Sequence, residues 1–364
     1  MIVTDLKIRN FRNYETAEVQ FSPGLNVITG LNAQGKTNLL ESLVYLSLTR
    51  SFRITEDSDL IRSGCDFASL ACTVEDNERI IQLGTVIYRG GKTLSVNRVP
   101  VKRTSEFVGK LNTVLFSPDD LGIFLDAPRE RRRLLDQEIT KVSSGYLFAL
   151  QNYRSLLKDR NALLKQNLRD DSYMEILEER MVREEVTIIH GRQDFIQAIN
   201  AKLPDYYRTL SGEDAEVKIV YQSCVSVDSD LEASLKAMYE TSREKDYGFR
   251  STGNGIHRED IVFTMNDVDV ITCASQGQKR MILLSFKLAI LSYIEATSAK
   301  KAVLLLDDVL SELDRNRQKT LMSLISSSVQ CIITGTEIPE FISKDQLREF
   351  RIDQGKLIRE AAHE

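Results

Sequence analysis

Apolar and polar positions along the chain change period several times, and each change marks an element. From Ile2 to Phe11 they alternate as in an edge strand, and Val19-Gln20-Phe21 reads as a second strand. The turn Ser22-Pro23-Gly24 leads into a short apolar, β-branched run, Leu25 to Thr29, which predicts a buried strand. Behind the glycines that follow, Asn38 to Leu46 carries the 3.6-residue period of a helix. Alternation around the turns Glu75-Asp76-Asn77-Glu78 and Gly90-Gly91 predicts an antiparallel ribbon over 69–100, and Val114-Leu115-Phe116 is a further strand.

The middle of the chain is different. The six prolines are Pro23, Pro100, Pro118, Pro128, Pro204 and Pro339, so none falls between Pro128 and Pro204. From Leu135 through Ile139, Val142, Tyr146, Tyr153 and Leu157 to Leu168, apolar residues recur at helical steps, which predicts one amphipathic helix of roughly 38 residues, about 57 Å long. A polar break at Arg169-Asp170-Asp171-Ser172 precedes a second helical pattern from Met174 to Ile199. The pair reads as a short antiparallel helical arm. Beyond Pro204 come strand character at 216–224, a helical segment at 231–239, and a polar loop over 251–260. A ribbon through Ile261-Val262-Phe263 and Val268-Asp269-Val270 follows, then an apolar helix over 282–294. Ala302 to Leu306 is a buried strand ending in Asp307-Asp308, and Cys331-Ile332-Ile333-Thr334 is the next strand.

Chemistry concentrates at two of these places. Gly30-Leu31-Asn32-Ala33-Gln34-Gly35-Lys36-Thr37-Asn38 stands between a strand and a helix, the context of a phosphate-binding loop. Its glycines let successive backbone N–H groups turn inward as an anion cradle, helped by the positive end of the helix. Lys36 is expected at the β- and γ-phosphates of a nucleoside triphosphate, with the Thr37 hydroxyl on Mg²⁺. A core strand ending in Asp307 sets a carboxylate where it can also hold Mg²⁺, and Asp308 is placed to polarise the attacking water; Lys36 and Asp308 are the expected catalytic pair. Ser275-Gln276-Gly277-Gln278 at a helix start offers a hydroxyl and backbone N–H groups, either as a second anion site or as a plain serine N-cap. Arg50 and Arg53, just past the loop helix, read either as cations closing a helix C-terminus or as γ-phosphate or dimer contacts.

With 364 residues, 42% of them apolar, and a formal charge of −5, the chain has room for a substantial core and shows no gross basic bias. Cys65, Cys72, Cys224, Cys273 and Cys331 form no C-x-x-C pair, which argues for a reducing compartment without disulfides or a zinc knuckle. No uninterrupted apolar run approaches the ~18 residues of a membrane span, and Met1 leads straight into a strand, so a cytoplasmic location is expected. Charge is uneven, however. Residues 127–170 hold ten Lys/Arg against five acids, which reads either as a solvated helix face or as a face meeting nucleic-acid phosphate through Lys158, Arg160 and Lys165.

The order phosphate loop, Ser275 element, carboxylate strand, then Ser311-Glu312-Leu313-Asp314 resembles the ATP-binding-cassette ATPases. Leu6 to Tyr14, Pro118-Asp119, Ala127-Pro128 with Arg131-Arg132, Leu135-Asp136, Gly255, His257-Arg258, Asp260, Arg317 and Leu321 narrow the resemblance to the RecF family in the SMC-like branch. That resemblance implies an α/β fold: a P-loop ABC-type ATPase head, with a mixed sheet plus an antiparallel β subdomain, and an inserted antiparallel helical arm domain. The segments would be 1–116 for the N-terminal part of the head, 117–210 for the arm, and 211–364 for the C-terminal part. It implies ATP and Mg²⁺ as cofactors, Gly30 to Asn38 and Arg12 around the nucleotide, and Ser275, Gly277 and Gln278 closing on the ATP of a second subunit. It further implies an ATP-induced homodimer on single-stranded and gapped duplex DNA, acting with RecO and RecR to load RecA in recombination, replication and the SOS response. Asp308 stands where cassette ATPases commonly have Glu, so slow hydrolysis is expected. Thr334-Gly335-Thr336 replaces the switch histidine of transporter subunits, and a transporter ATPase subunit is the weaker alternative. A nuclease-associated SMC-like ATPase is another, against which stand the short arm and the lack of a zinc hook.

Overall fold

The computed structural model describes residues 1–77, 79–166, 169–227, 230–325, 329–339, 341–343 and 347–361. In chain order the elements are β1 (Ile2–Phe11), β2 (Tyr14–Gln20), β3 (Leu25–Thr29), α1 (Lys36–Leu48), β4 (Phe67–Asp76), β5 (Arg79–Tyr88), β6 (Gly91–Val96), β7 (Val99–Val101) and β8 (Thr113–Phe116). Helices α2 (Pro128–Thr140), α3 (Ser144–Leu164), α4 (Asp171–Asn200) and α5 (Leu203–Ser211) follow, then β9 (Val217–Gln222), α6 (Leu231–Phe249), β10 (Asp260–Met265) and β11 (Val268–Asp269). The chain ends with α7 (Val270–Cys273), α8 (Gln276–Ser298), β12 (Val303–Asp307), α9 (Arg315–Leu324), β13 (Cys331–Gly335), β14 (Leu347–Asp353) and β15 (Lys356–Ala361).

Two compact units divide this chain. One comprises Met1–Asp120, Tyr206–Glu213 and Leu283–Glu364; the other comprises Leu121–Asp205 and Asp214–Ile282. The expected three-segment division placed 211–364 together, whereas residues 214–282, including the Ser275 segment, group with the helices.

The first unit holds two sheets. The antiparallel sheet runs β2-β1-β4-β5-β6-β7, and the other runs β15-β14-β3-β13-β12-β8. In the second sheet β14, β3, β13, β12 and β8 are parallel, and only β15 is antiparallel. Alternation in β1 is interrupted by a register shift between Val3 and Asp5, so Val3 and Leu6, three apart, both face inward. The core lies between the inner face of the antiparallel sheet (Leu6, Ile8, Leu70, Leu83), helix α1 (Leu40, Leu43) and the parallel strands (Ile28, Leu305, Ile332). Helix α8 has the length and mean hydropathy, 1.4 over 18 residues, of a membrane-crossing helix, yet 61% of that window is buried inside the protein, as in a core helix.

In the second unit the single helix of roughly 38 residues is not found. Helix α2 ends at Thr140 and α3 begins at Ser144, with the Ser143 hydroxyl accepting from the Tyr146 backbone N–H as the N-cap. The steps from Ile139 to Val142 to Tyr146 preserve a helical period across the break, so periodicity alone could not show it. Leu168 lies outside the described residues. A buried polar network then ties these helices together. Arg192 of α4 bonds Asp136 of α2 at 2.9 Å and Glu259 at 2.6 Å. Arg160 of α3 is fully buried, bonding Glu178 of α4 and Asp246 of α6, both at 2.8 Å. Such charges are tolerated because each is paired, and removing one partner would strand the other.

One member of this interior has no counter-ion among the described residues. Glu185 of α4 is fully buried; its Oε1 accepts from the Tyr239 hydroxyl at 2.9 Å and the Ile256 N–H at 3.2 Å, while its Oε2 has no hydrogen-bond partner. Burial pushes its carboxyl up to about 7, and hydrogen bonds from the Ile256 N–H, Tyr239 and Tyr153 only partly oppose that rise. The folded protein therefore holds a proton between pH ~4.5 and ~7 that the unfolded chain has released. Stability from this group is full below the unfolded value and falls as pH rises through that window, by about 3 kcal/mol in all. Glu185→Gln should flatten this component, so chemical denaturation of both proteins from pH 4.5 to 8 should show the variant losing less stability. Parallel pH profiles would contradict the assignment.

Candidate functional site

The nucleotide-loop segment leaves β3 at Thr29 and enters α1 at Lys36, as the strand–loop–helix pattern predicts. Two glycines are sterically required. A Cβ on Gly30 would lie 2.4 Å from the Ile352 carbonyl oxygen of β14, and Gly35 has φ 115° with the Asn13 side chain 2.7 Å from where its Cβ would be. For backbone N–H groups to point into the loop, neighbouring carbonyls must be held outward. The Gln34 carbonyl accepts from Asn13 Nδ2 at 2.9 Å and from the Gly355 N–H at 2.9 Å, and the Tyr14 hydroxyl donates to the Gly35 carbonyl at 2.9 Å. The Gln354 N–H also donates to Gln34 Oε1 at 2.6 Å.

Lys36 is buried, its Nζ donating to the Gly30 and Leu31 carbonyls at 2.7 and 2.9 Å. Burial lowers its pKa, while Asp308 and Asp307 pull it back up. From α1 the Thr37 hydroxyl donates to Asp307 Oδ1 at 3.0 Å, and from β13 the Thr334 hydroxyl donates to the same oxygen at 2.7 Å. Burial raises the Asp307 pKa, and these two hydroxyls oppose it. The Asp308 N–H donates to Thr334 Oγ1 at 3.0 Å, so one threonine positions both aspartates. Asp308 has φ 53°, a conformation rarely adopted by a non-glycine residue, and its Oδ1 is buried with no partner among the described residues. A cavity of about 510 Å³, lined in part by Asp308, Ser311, Thr334 and Thr336, adjoins it.

The remaining expected residues fall as follows. Arg12 makes a two-pronged bond to buried Glu41 of α1, at 2.8 and 2.7 Å, and also donates to the Asp59 carbonyl. Arg53 Nη1 donates to Asn38 Oδ1 at 3.1 Å, which ties it to the end of the loop. Leu31, Asn32 and Ala33 are exposed at the loop's crest. Ser275 is exposed in the other unit, where its hydroxyl accepts from the Gln278 N–H at 3.2 Å and its N–H donates to Gln278 Oε1 at 2.9 Å. That reciprocal pair is a capping box, with Gly277 exposed in the first turn of α8. Lys158 and Lys165 are exposed, but Arg160 is not available as a DNA contact, since its guanidinium is spent on Glu178 and Asp246 inside the protein. Its spacing from Leu156 and Leu164, four residues to either side, had placed it on the inner face of α3.

The sequence reading missed three contributors: Asn13, Thr334 as the hinge of the two aspartates, and the β14–β15 hairpin. The hairpin had a signal, since Leu347, Phe350 and Ile352 precede a Gln354-Gly355 turn in which both residues have positive φ.

The strand–loop–helix with Lys36, and Asp307 at the end of β12, a parallel strand separated from β3 by β13, define a phosphate-loop ATPase head. The family model described as RecF/RecN/SMC N terminal domain matches residues 2–357. The chain is 37% identical to the DNA replication and repair protein RecF of Streptococcus pneumoniae, covering 98% of both chains. A solved structure described as RecF-ATP in the RecFOR pathway superposes with a TM-score of 0.91 at 32% identity, over 99% of this chain and 97% of that one. The Smc head domain of Pyrococcus furiosus shares the fold at a TM-score of 0.56 and 18% identity, over 98% and 94% of the two chains. The chain belongs to the RecF/RecN/SMC family.

The glycine geometry gives a direct test. Gly30→Ala should cost about 2–3 kcal/mol or more, because its Cβ meets backbone that cannot move without parting β3 from β14. Gly24→Ala, with nothing within 4 Å of its Cβ, should change stability by less than about 0.5 kcal/mol. Equal denaturation midpoints for the two variants would show that the close approach is absent.

Proposed function

We propose that this protein is an ATP-controlled DNA-binding switch of recombinational repair and replication. The observation that carries the reading is the convergence of Lys36, Thr37 and Asp307 at one loop, with Asp307 Oδ1 shared between Thr37 and Thr334. The donor set fits a magnesium nucleotide: a backbone cradle, one buried cation, one hydroxyl and one carboxylate. Support for the biological setting comes from relatives named for DNA replication and repair, and from solved relatives described with ATP or an ATP analogue in the RecFOR pathway. By extension from those relatives, the partners are single-stranded and gapped DNA, a second copy of the chain, and the RecO, RecR and RecA proteins, in the cytoplasm.

ATP, when bound, would supply the phosphoanhydride, and Mg²⁺ would supply positive charge to offset that of the phosphates. Thr37 and Asp307 would hold that ion. Lys36 would exchange its two carbonyl partners for phosphate oxygens, which compensates its burial better than neutral acceptors do. Asp308, one methylene shorter than Glu, would orient water from a backbone held in place by Thr334, and slow turnover follows. Ser275 and the N–H groups at the start of α8 would meet the nucleotide held by a second subunit, making the dimer dependent on ATP.

Lys36→Met should leave the fold intact and abolish ATP binding, read by isothermal titration. Unchanged affinity would overturn the nucleotide assignment.

Ser275→Arg should preserve ATP affinity in the monomer and abolish ATP-induced dimerisation, read by sedimentation. Were Ser275 only a helix cap, the change would instead cost roughly 1 kcal/mol of stability with dimerisation retained.

A further inference from the structure

Two stretches of this chain are rich in cations, and the structure treats them differently. In residues 127–170, six of the ten Lys/Arg make ion pairs with acids, among them Arg131 with Asp260, Lys141 with Glu138 and Arg154 with Asp136. Most of that charge is consumed within the helical unit. Residues 79–110 carry seven Lys/Arg and a single acid, Glu106, giving +6 in a chain whose total is −5. Among the described residues there, Lys92 is paired, to Asp57 at 2.7 Å. Among the described residues, Arg79, Arg89, Arg98, Lys102, Arg103 and Lys110 have no acidic partner.

Sheet register sets these cations along one ribbon. Arg89 sits in the β5–β6 turn, Arg98 in the β6–β7 turn, and Lys102 and Arg103 directly after β7, the last strand of the antiparallel sheet. At ~3.3 Å per residue, Arg98 to Arg103 covers ~16 Å of that edge. Apolar and aromatic side chains are exposed between them, Val99 at 65% and Tyr88 at 43%. On the outer face of the same sheet, Ala71, Gly84 and Ser95 align across β4, β5 and β6 and leave a groove of about 280 Å³ with Lys7 and Arg98 at its rim. A bare strand edge is commonly guarded by charge and proline, and Pro100 with Lys102 would suffice for that. Arg79 and Arg89 lie off the edge, so guarding does not account for them.

We propose that the β5–β7 ribbon, through Arg89, Arg98, Lys102 and Arg103, is the surface that receives the phosphate backbone of duplex DNA. This rests on the DNA-binding reading above and supplies its location. Exposed guanidinium and ammonium groups without an acidic partner among the described residues, spaced along an edge, match a line of phosphates; Arg98 Nε donates to Gln82 Oε1 at 3.0 Å. A protein partner of standard size would instead be expected to bury a more apolar centre.

The test is the salt dependence of gapped-duplex binding with ATP, read by fluorescence anisotropy. Arg98→Gln, Lys102→Gln and Arg103→Gln combined should reduce the log–log slope by about 2.7, at 0.9 per phosphate contact, with ATP affinity and melting temperature unchanged. Arg98→Lys with Arg103→Lys should keep the slope. Arg129→Gln, Lys158→Gln and Lys165→Gln combined should also leave it unchanged. If the Gln triple aggregates through β7, Arg89→Gln alone carries the test, with an expected reduction of about 0.9. A wild-type slope in the ribbon variants, or a slope lost in the helical triple, would overturn the proposal. Failure of the unaltered protein to bind DNA at low salt would instead sink the reading beneath it.

Discussion

A loop that binds phosphate must turn its N–H groups inward, and a peptide cannot do so unless its carbonyls find donors elsewhere. This requirement organises the first unit. The Gln34 and Gly35 carbonyls are held by Asn13 and Tyr14 from the β1–β2 corner and by Gly355 from the β14–β15 turn. Two distant segments thus set a cradle before any anion arrives, and pre-set donors lose less on binding than donors that must be ordered first.

The acidic side of the site follows a similar economy. Thr334 gives its proton to Asp307 and accepts one from the Asp308 amide, so a single hydroxyl orients two carboxylates with different tasks. Asp307 takes both hydroxyls, of Thr37 and Thr334, on one oxygen. Asp308 sits at φ 53° with one oxygen buried and unpartnered among the described residues, and its amide is held by Thr334 of β13.

Much of this was legible in the chain. Local periods placed β3, α1 and β12, and the glycine spacing placed the cradle, because these features rest on neighbouring residues. What was not legible depended on tertiary partners. The break between α2 and α3 turns on one serine cap inside an unbroken apolar period. Arg160 reads as a surface cation until Glu178 and Asp246 arrive from helices α4 and α6. The donors that hold the loop lie about twenty residues before it and some 320 after it, beyond any window of local pattern.

That last separation has a consequence for synthesis of the protein. Strand β3 is flanked by β13 and β14, both made roughly 300 residues later. At ~5–20 residues per second, the strand leading to the phosphate loop would wait roughly 15–60 s on the ribosome with both edges open. Such an edge invites pairing with other chains. The Gln34 carbonyl likewise gains its Gly355 donor only once the β14–β15 turn has been made.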